Sequence, residues 1–268
     1  MGELSTARTF RNSFSVLSML SGCALVLLAV LSCQSVNDSS RGELESKQSE
    51  LTSAEQLLAR SIRFHDPDGT WSQGQLSLRW TSAGPDGVVA LDFEIDYHPR
   101  GSFAMKGEYG GAEIHYLVAE GVSTAVVNGE TELSDEVLAS AALSGEDGMF
   151  WRNYFGFLGG MPMCLDDPIV QLEADAFEAE FEGRSVPAIR TSFSPDVGTD
   201  VWTFYFEPET AQLIGCRFDR ADPARDGETL VFEELVTVAG VRLPKRRTWH
   251  MNADHEMIGI DELFARED

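Results

Sequence analysis

The stretch SIRFHDPDGTW, Ser61 to Trp71, sets one imidazole beside two carboxylates. His65, Asp66 and Asp68 offer a nitrogen and two oxygen donors within a few residues, a set that could hold a divalent cation weakly. A His–Asp pair can also act as a general base. Sequence neighbours converge on one ion only when the loop between them is sharply curved. No HExxH helix, GxSxG elbow or other nucleophile signature stands elsewhere to complete a catalytic centre. The same residues have a plainer use. His65 falls in the last turn of a helix, where the dipole favours a cation. Asp66 precedes Pro67, which biases it out of the helical region. Pro67-Asp68-Gly69 then turns the chain toward a first strand opened by Trp71. The cluster reads as a helix exit and turn; a hydrolase or metal-dependent enzyme centred on His65 and Asp66 is the alternative. No catalytic residue, cofactor or metal ligand is assigned.

Two further groups carry chemistry. PKRRTW, Pro244 to Trp249, is the one basic run in a chain of net charge −24. It could meet a headgroup or partner at a cavity rim. The preferred reading is a strand with Pro244 at its start and solvent-facing arginines paired with neighbouring acids. Cys164 and Cys216 could form a disulfide in an oxidising compartment. There is no CxxC and no Cys/His spacing of a zinc site.

The N-terminus places the chain in that kind of compartment. Arg8 and Arg11 precede FSVLSMLSGCALVLLAVLSC, which carries no charge, and residues 1–32 read as an export signal of the lipoprotein type. LSGC, ending at Cys23, is the better local lipobox, but cleavage there would leave ALVLLAVLS on the mature protein. Cleavage before Cys33 uses the whole apolar run Phe14 to Leu31, so Cys33 is assigned as the lipidated residue. An uncleaved single-span anchor is the alternative. Residues 33–51 are polar and read as a tether; residues 52–268 form one domain with a sizeable core. Only three of the 20 basic residues are lysine (Lys47, Lys106, Lys245), and so acidic a surface excludes nucleic acid as a partner.

The elements that must position these residues follow from periodicity. Thr52 and Glu55 make a capping box, and Leu58 and Ile62 give one apolar face from about Ser53 to Phe64. The period then changes to two. Leu76, Leu78 and Trp80 alternate, then Val89, Leu91, Phe93, Ile95 and Tyr97, with AGPDG as the turn between them. SFAMKGEY, EIHYLVAE and STAVVNG continue as short strands of an antiparallel meander with one wet face. SDEVLASAAL and DGMFWRNYFGFLGG read as helices, the second stopped by Gly159–Gly160. AFEAEFEG, a hairpin turning at EPETA, a second turning at Ala239–Gly240, and EMIGIDELF complete about eleven strands.

The fold class expected is α+β: a single curved antiparallel sheet, an unclosed β-barrel, with helices on its concave side. Phe150, Tyr154 and Phe157 on the second aromatic helix, and Trp202, Phe204 and Phe206 on a strand apolar on both faces, are core by default. Where helices fail to fill the sheet, the same six would line a ligand cavity.

Four blocks, FHDPDGTW, FWRNYFGFLGGMPM, GTDVWTFYFEPET and GVRLPKRRTW, occur in this order in a family of uncharacterised bacterial lipoproteins. In the first of them, His65, Asp66, Pro67, Gly69 and Trp71 serve as structural fingerprint. That family resembles the periplasmic lipoprotein carriers of the LolA/LolB type, over roughly Leu57 to Leu263. The resemblance implies a LolA-like half-barrel with a helical lid and a hydrophobic cavity for acyl chains, and no reaction. It implies a lipid or an acylated protein as partner, with the membrane reached through the lipid anchor. A lipid-anchored chain is closer to the membrane-bound acceptor than to the soluble carrier. The location expected is the cell envelope, facing the periplasm, at the outer membrane in preference to the inner. A scaffold with a filled core and no ligand is the remaining alternative.

Overall fold

The computed structural model describes residues 53–109, 111–131, 134, 148–194, 198–222 and 224–266. The expected signal segment, Cys23, Cys33, the tether, Thr52 of the capping box and most of SDEVLASAAL lie outside them. Helix α1 (Ser53–His65) is followed by β1 (Leu76–Ala83), β2 (Val89–Tyr97), β3 (Phe103–Tyr109), β4 (Ala112–Ala119) and β5 (Val122–Val127). Helix α2 (Gly148–Gly160) and a 3-10 turn (Met163–Asp166) come next. Then come β6 (Val170–Leu172), β7 (Phe177–Phe181), β8 (Arg184–Phe193), β9 (Val201–Phe206), β10 (Leu213–Asp219), β11 (Glu228–Val238), β12 (Val241–Met251) and β13 (Met257–Ala265).

Among the described residues one antiparallel sheet holds all thirteen strands, in the order β5-β4-β3-β2-β1-β13-β12-β11-β10-β9-β8-β6, with β7 on β8. The path has two free ends and does not close. First and last strands meet in its middle, with Leu78 opposite Ala265 and Trp80 opposite Leu263. The connection carrying α2 leaves one end of the sheet at β5 and rejoins it at the other at β6, so the helix is laid across the inner face.

Local chemistry explains the strands. Two-residue hairpins at Glu120-Gly121, Glu182-Gly183 and Ala239-Gly240 have positive φ at both central positions, as the right-handed strand twist requires. Burial alternates along β2, where Leu91, Phe93, Ile95 and Tyr97 are inward, while Asp92 and Glu94 pair outward with Arg79 and Lys106.

The structure departs from the expected eleven strands in two places. β6 spans three residues, too few for a period to register. β8 contains Pro187, which argues against a strand in sequence. Its ladder with β9 begins only at Ala188, so the ring sits at the end of that ladder, where no N–H is needed. The first strand also starts later than expected. Trp71 lies in a turn in which Gln73 and Gly74 both donate to the Thr70 carbonyl, and β1 opens at Leu76.

The aromatic helix is buried on more than one stripe, with Phe150, Trp151, Tyr154, Phe155 and Leu158 all covered. Its glycines let it approach the sheet. A Cβ at Gly156 would lie 2.6 Å from Tyr97 Oη and 3.1 Å from its Cζ. Gly156→Val should therefore lower stability by about 1–3 kcal/mol, the usual cost of overpacking a dense core. An unchanged denaturation midpoint would show that α2 is not seated on Tyr97.

The strand apolar on both faces, β9, is buried on both. Trp202, Phe204 and Phe206 join the main core. Tyr205 on the other face belongs to a second cluster with Phe181, Val186 and Ala188, and Phe181 stacks on it at 4.3 Å.

Candidate functional site

The opening cluster is a joint between α1 and the sheet. Ala54, Leu57, Leu58, Ser61 and His65 form the buried stripe of α1, with Ile62 at its margin. His65 is fully buried. Its Nδ1 donates to the Arg242 carbonyl at 2.6 Å, and its Nε2 accepts from the Leu213 N–H at 3.0 Å. One ring therefore pins the end of α1 to both β12 and β10. The tautomer follows from these partners: proton on Nδ1, lone pair on Nε2. Burial pushes its pKa down to about 4, so it is a neutral staple at neutral pH, not the dipole-stabilised cation expected from its place in the helix.

Asp66 is also covered. Its Oδ1 accepts the Thr70 N–H at 2.8 Å and the Thr70 hydroxyl at 3.1 Å, and its Oδ2 accepts the Trp71 N–H at 3.0 Å. The carboxylate thus closes the Pro67–Gly69 turn, where Gly69 adopts φ 68°. Both ring nitrogens and both carboxylate oxygens are engaged with the chain itself. As placed, the imidazole has no free ring nitrogen, and the carboxylate serves the turn. Among the described residues no group of three or more His, Cys, Asp or Glu is arranged to hold a metal.

The six aromatic candidates come together on the inner face. Phe150 stacks on Tyr154, with ring centres 6.2 Å apart. Phe157, half-buried, stands edge-on to Trp202 at 5.0 Å and to Phe193 at 5.9 Å. Trp202 stacks with Phe204 and packs tilted against Phe218. Phe150, Tyr154, Trp202, Phe204 and Phe206 are buried in one continuous core. Cys164 and Cys216 are free thiols; Cys164 Sγ donates to the Phe157 carbonyl at 3.4 Å, and burial pushes both thiols upward in pKa.

Among the described residues, hollows open along the boundary of helices and sheet. One of about 470 Å³ lies between α1 and the β6 end, with Leu58, Ile62, Leu165, Val170 and Leu172 as its apolar wall and Glu55 and Asp167 at the rim. A second, about 520 Å³, is lined by Met149 and Val118 with Arg100, Arg152 and Glu120. A third, about 270 Å³, lies beside Trp71, Tyr97 and Cys164.

A polar stripe crosses the inner face where apolar residues were expected. PKRRTW is central β12, and its two arginines point opposite ways. Arg246 faces out and pairs with Glu233 and Glu262. Arg247 faces in and is fully buried, which corrects the expectation that both are solvated. In register across the sheet stand Phe232, Arg247, Asp261 and Ser82. Asp261 accepts from the Ser82 hydroxyl and from Trp249 Nε1, and burial raises its pKa. Strand parity was the available signal: Arg247 shares its face with Leu243 and Trp249, both inward types.

A family model described as a family of unknown function, DUF6503, matches residues 42–265. The chain belongs to that family. No curated protein matches its sequence. Among solved structures, a LolA superfamily protein from Nitrosomonas europaea is similar over 82% of this chain and 95% of that one, with 8% identity and a TM-score of 0.47. A DUF1329 family protein from Desulfovibrio piger is similar over 80% of this chain and 92% of that one, at 10% identity and a TM-score of 0.42. A candidate outer membrane lipoprotein-sorting protein domain from Vibrio parahaemolyticus is similar over 78% and 92%, at 9% identity and a TM-score of 0.35.

Proposed function

We propose that this protein is a lipid-anchored binding domain of the cell envelope that holds a lipid, or the acyl chain of a lipoprotein, against the inner side of its open sheet. The observation that carries the reading is the apolar groove between α1 and β6. Its volume, about 470 Å³, falls in the range of small-molecule sites, and Ile62, Val170 and Leu172 line it half-exposed while packing on the main core. A chain laid there loses apolar surface to water at about 0.8 kcal/mol per methylene. Anchorage through Cys33 and a periplasm-facing position at the outer membrane are the settings in which such a groove meets its ligand.

Native mass spectrometry of the purified protein tests this. Co-purified acyl species, and loss of about tenfold or more in affinity for an added acyl probe in Ile62→Glu, are expected, since a charge in an apolar groove costs at least 1.4 kcal/mol. A clean apo mass together with no saturable probe binding would overturn the reading.

A further inference from the structure

The 520 Å³ hollow at the start of α2 carries more positive charge than negative, in a chain that is otherwise strongly acidic. Arg100, from the β2–β3 turn, and Arg152, from α2, both line it, together with the apolar side chains of Met149 and Val118. Arg152 is held in place. Its Nη2 donates to the Pro99 carbonyl at 2.9 Å, and its guanidinium lies 5.7 Å from the centre of the Tyr97 ring. Arg100 is exposed, and its guanidinium has no hydrogen bond or ion pair among the described residues. Neither arginine pairs with a carboxylate, although Glu120 stands in the same wall. Elsewhere in this chain Arg79, Lys106, Arg190, Arg246 and Arg266 each pair with one. Two guanidinium groups on separate elements of one hollow suit a phosphate, which has oxygens for both, whereas a carboxylate is satisfied by a single fork. Met149 lies in the first turn of α2, whose dipole adds positive potential at the same end.

The hollows adjoin one another. Arg100 lines both the 520 Å³ and the 270 Å³ ones, and Asp166, Asp167 and Pro168 line both the 270 Å³ one and the groove between α1 and β6. Charge is distributed unequally along this series, with Glu55, Asp166 and Asp167 at the groove and Arg100 and Arg152 at the far end. We infer that the hollow of Arg100 and Arg152 receives the phosphate of a single-chain phosphate ester, whose hydrocarbon runs past Trp71 and Tyr97 toward the apolar groove. This rests on the binding reading proposed above and narrows it from any acyl chain to one that ends in a phosphate. The acids beside the groove favour that orientation, because they repel the head from the end where the tail is buried. A chain of net charge −24 repels anions at long range, so a preference for a phosphate ester over its neutral alcohol must come from local cations.

Equilibrium dialysis of the purified full-length protein with decyl phosphate and with 1-decanol separates the possibilities. Decyl phosphate is expected to bind about tenfold tighter, and Arg100→Gln should cut that preference to about threefold or less without changing the affinity for decanol. Arg100 is exposed and holds no other group, so this variant keeps the fold. Arg63→Gln, which removes an exposed cation of α1 that lines none of these hollows, should leave the preference intact. Ile62→Glu should weaken both compounds about tenfold and leave their ratio unchanged. Inorganic phosphate, even in large molar excess, should leave decyl phosphate bound, since it lacks the chain. Equal affinities for the two compounds in the unmodified protein would overturn the inference and leave the binding reading standing, and this contrast needs no variant to fold. A preference undiminished in Arg100→Gln, or lost equally in Arg63→Gln, would overturn it as well. Displacement by inorganic phosphate would make the hollow a site for the free ion, and decyl phosphate binding untouched by Ile62→Glu would detach it from the groove; either result overturns the single-ligand inference. Binding of neither compound would overturn both readings.

Discussion

Replacing His65 with alanine is expected to lower the unfolding free energy by about 4 kcal/mol, read as a fall in denaturation midpoint at pH 7. The loss has separable parts. The Leu213 N–H and the Arg242 carbonyl each lose their partner inside the protein, and an unsatisfied buried polar group costs about 1–3 kcal/mol. The missing ring also leaves a void between α1, β10 and β12. An enzyme centred on His65 and Asp66 predicts the reverse: activity lost, stability nearly unchanged. A midpoint within experimental error of the unmodified protein would refute the staple. Asp66→Ala should destabilise too, since it releases two N–H groups of the Thr70–Trp71 turn, and a smaller effect is expected because that turn lies nearer the surface.

Glu228→Gln is expected to change how stability depends on pH, by about 3 kcal/mol between pH 4.5 and 7. Glu228 is buried at the start of β11, with Oε1 3.6 Å from Arg220 and Oε2 without a partner. Burial outweighs that arginine and raises its pKa from 4.5 to about 7. The folded state therefore binds a proton that the unfolded chain has released. Its contribution is complete below pH 4.5 and is lost as pH rises through 7. His65 has the opposite sign. Its folded pKa, about 4, lies below the ordinary 6.5, so its contribution is complete above pH 6.5 and is lost as pH falls toward 4. Each shift corresponds to about 3 kcal/mol, and over pH 4.5 to 6.5 the two oppose one another. Relative to the unmodified protein, Glu228→Gln should therefore gain stability steadily from pH 4.5 to 7. Buried Asp261 shifts in the same direction as Glu228, but it is common to both proteins and cancels in their difference. Urea titrations at pH 4.5, 5.5 and 7 measure that difference, and a flat one would show that Glu228 is not buried as a protonated acid.

The residues that were legible in sequence share one property: their partners are near in the chain. The alternation Leu91, Phe93, Ile95, Tyr97 fixes which side of β2 faces inward, because successive side chains of a strand point to opposite faces. Glu-Gly and Ala-Gly pairs between apolar runs specify tight hairpins, because only certain residues accept positive φ. The helix-exit reading of FHDPDGTW holds for the same reason, since Asp66 meets Thr70 and Trp71 only four and five residues on. β8 was missed because Pro187 is judged by local rules, whereas its place at the end of the β9 ladder is a property of another strand.

The site depends on distant partners. Whether His65 is a cation or a neutral staple is settled by its burial against β12 and β10 at Arg242 and Leu213, some 150 residues or more away in the chain. Nothing local says that β1 lies against β13, yet that pairing brings Ser82 to Asp261, which the β12–β13 pairing sets opposite Arg247. The amino-acid order carries the strands, their turns, the faces of the helices and the acidic surface, since each follows from the geometry of a few consecutive residues. Only the folded chain assigns the hollow beside α1 and leaves the open donors of Arg247 beneath α2, because burial and hydrogen bonding are set by which remote segments meet.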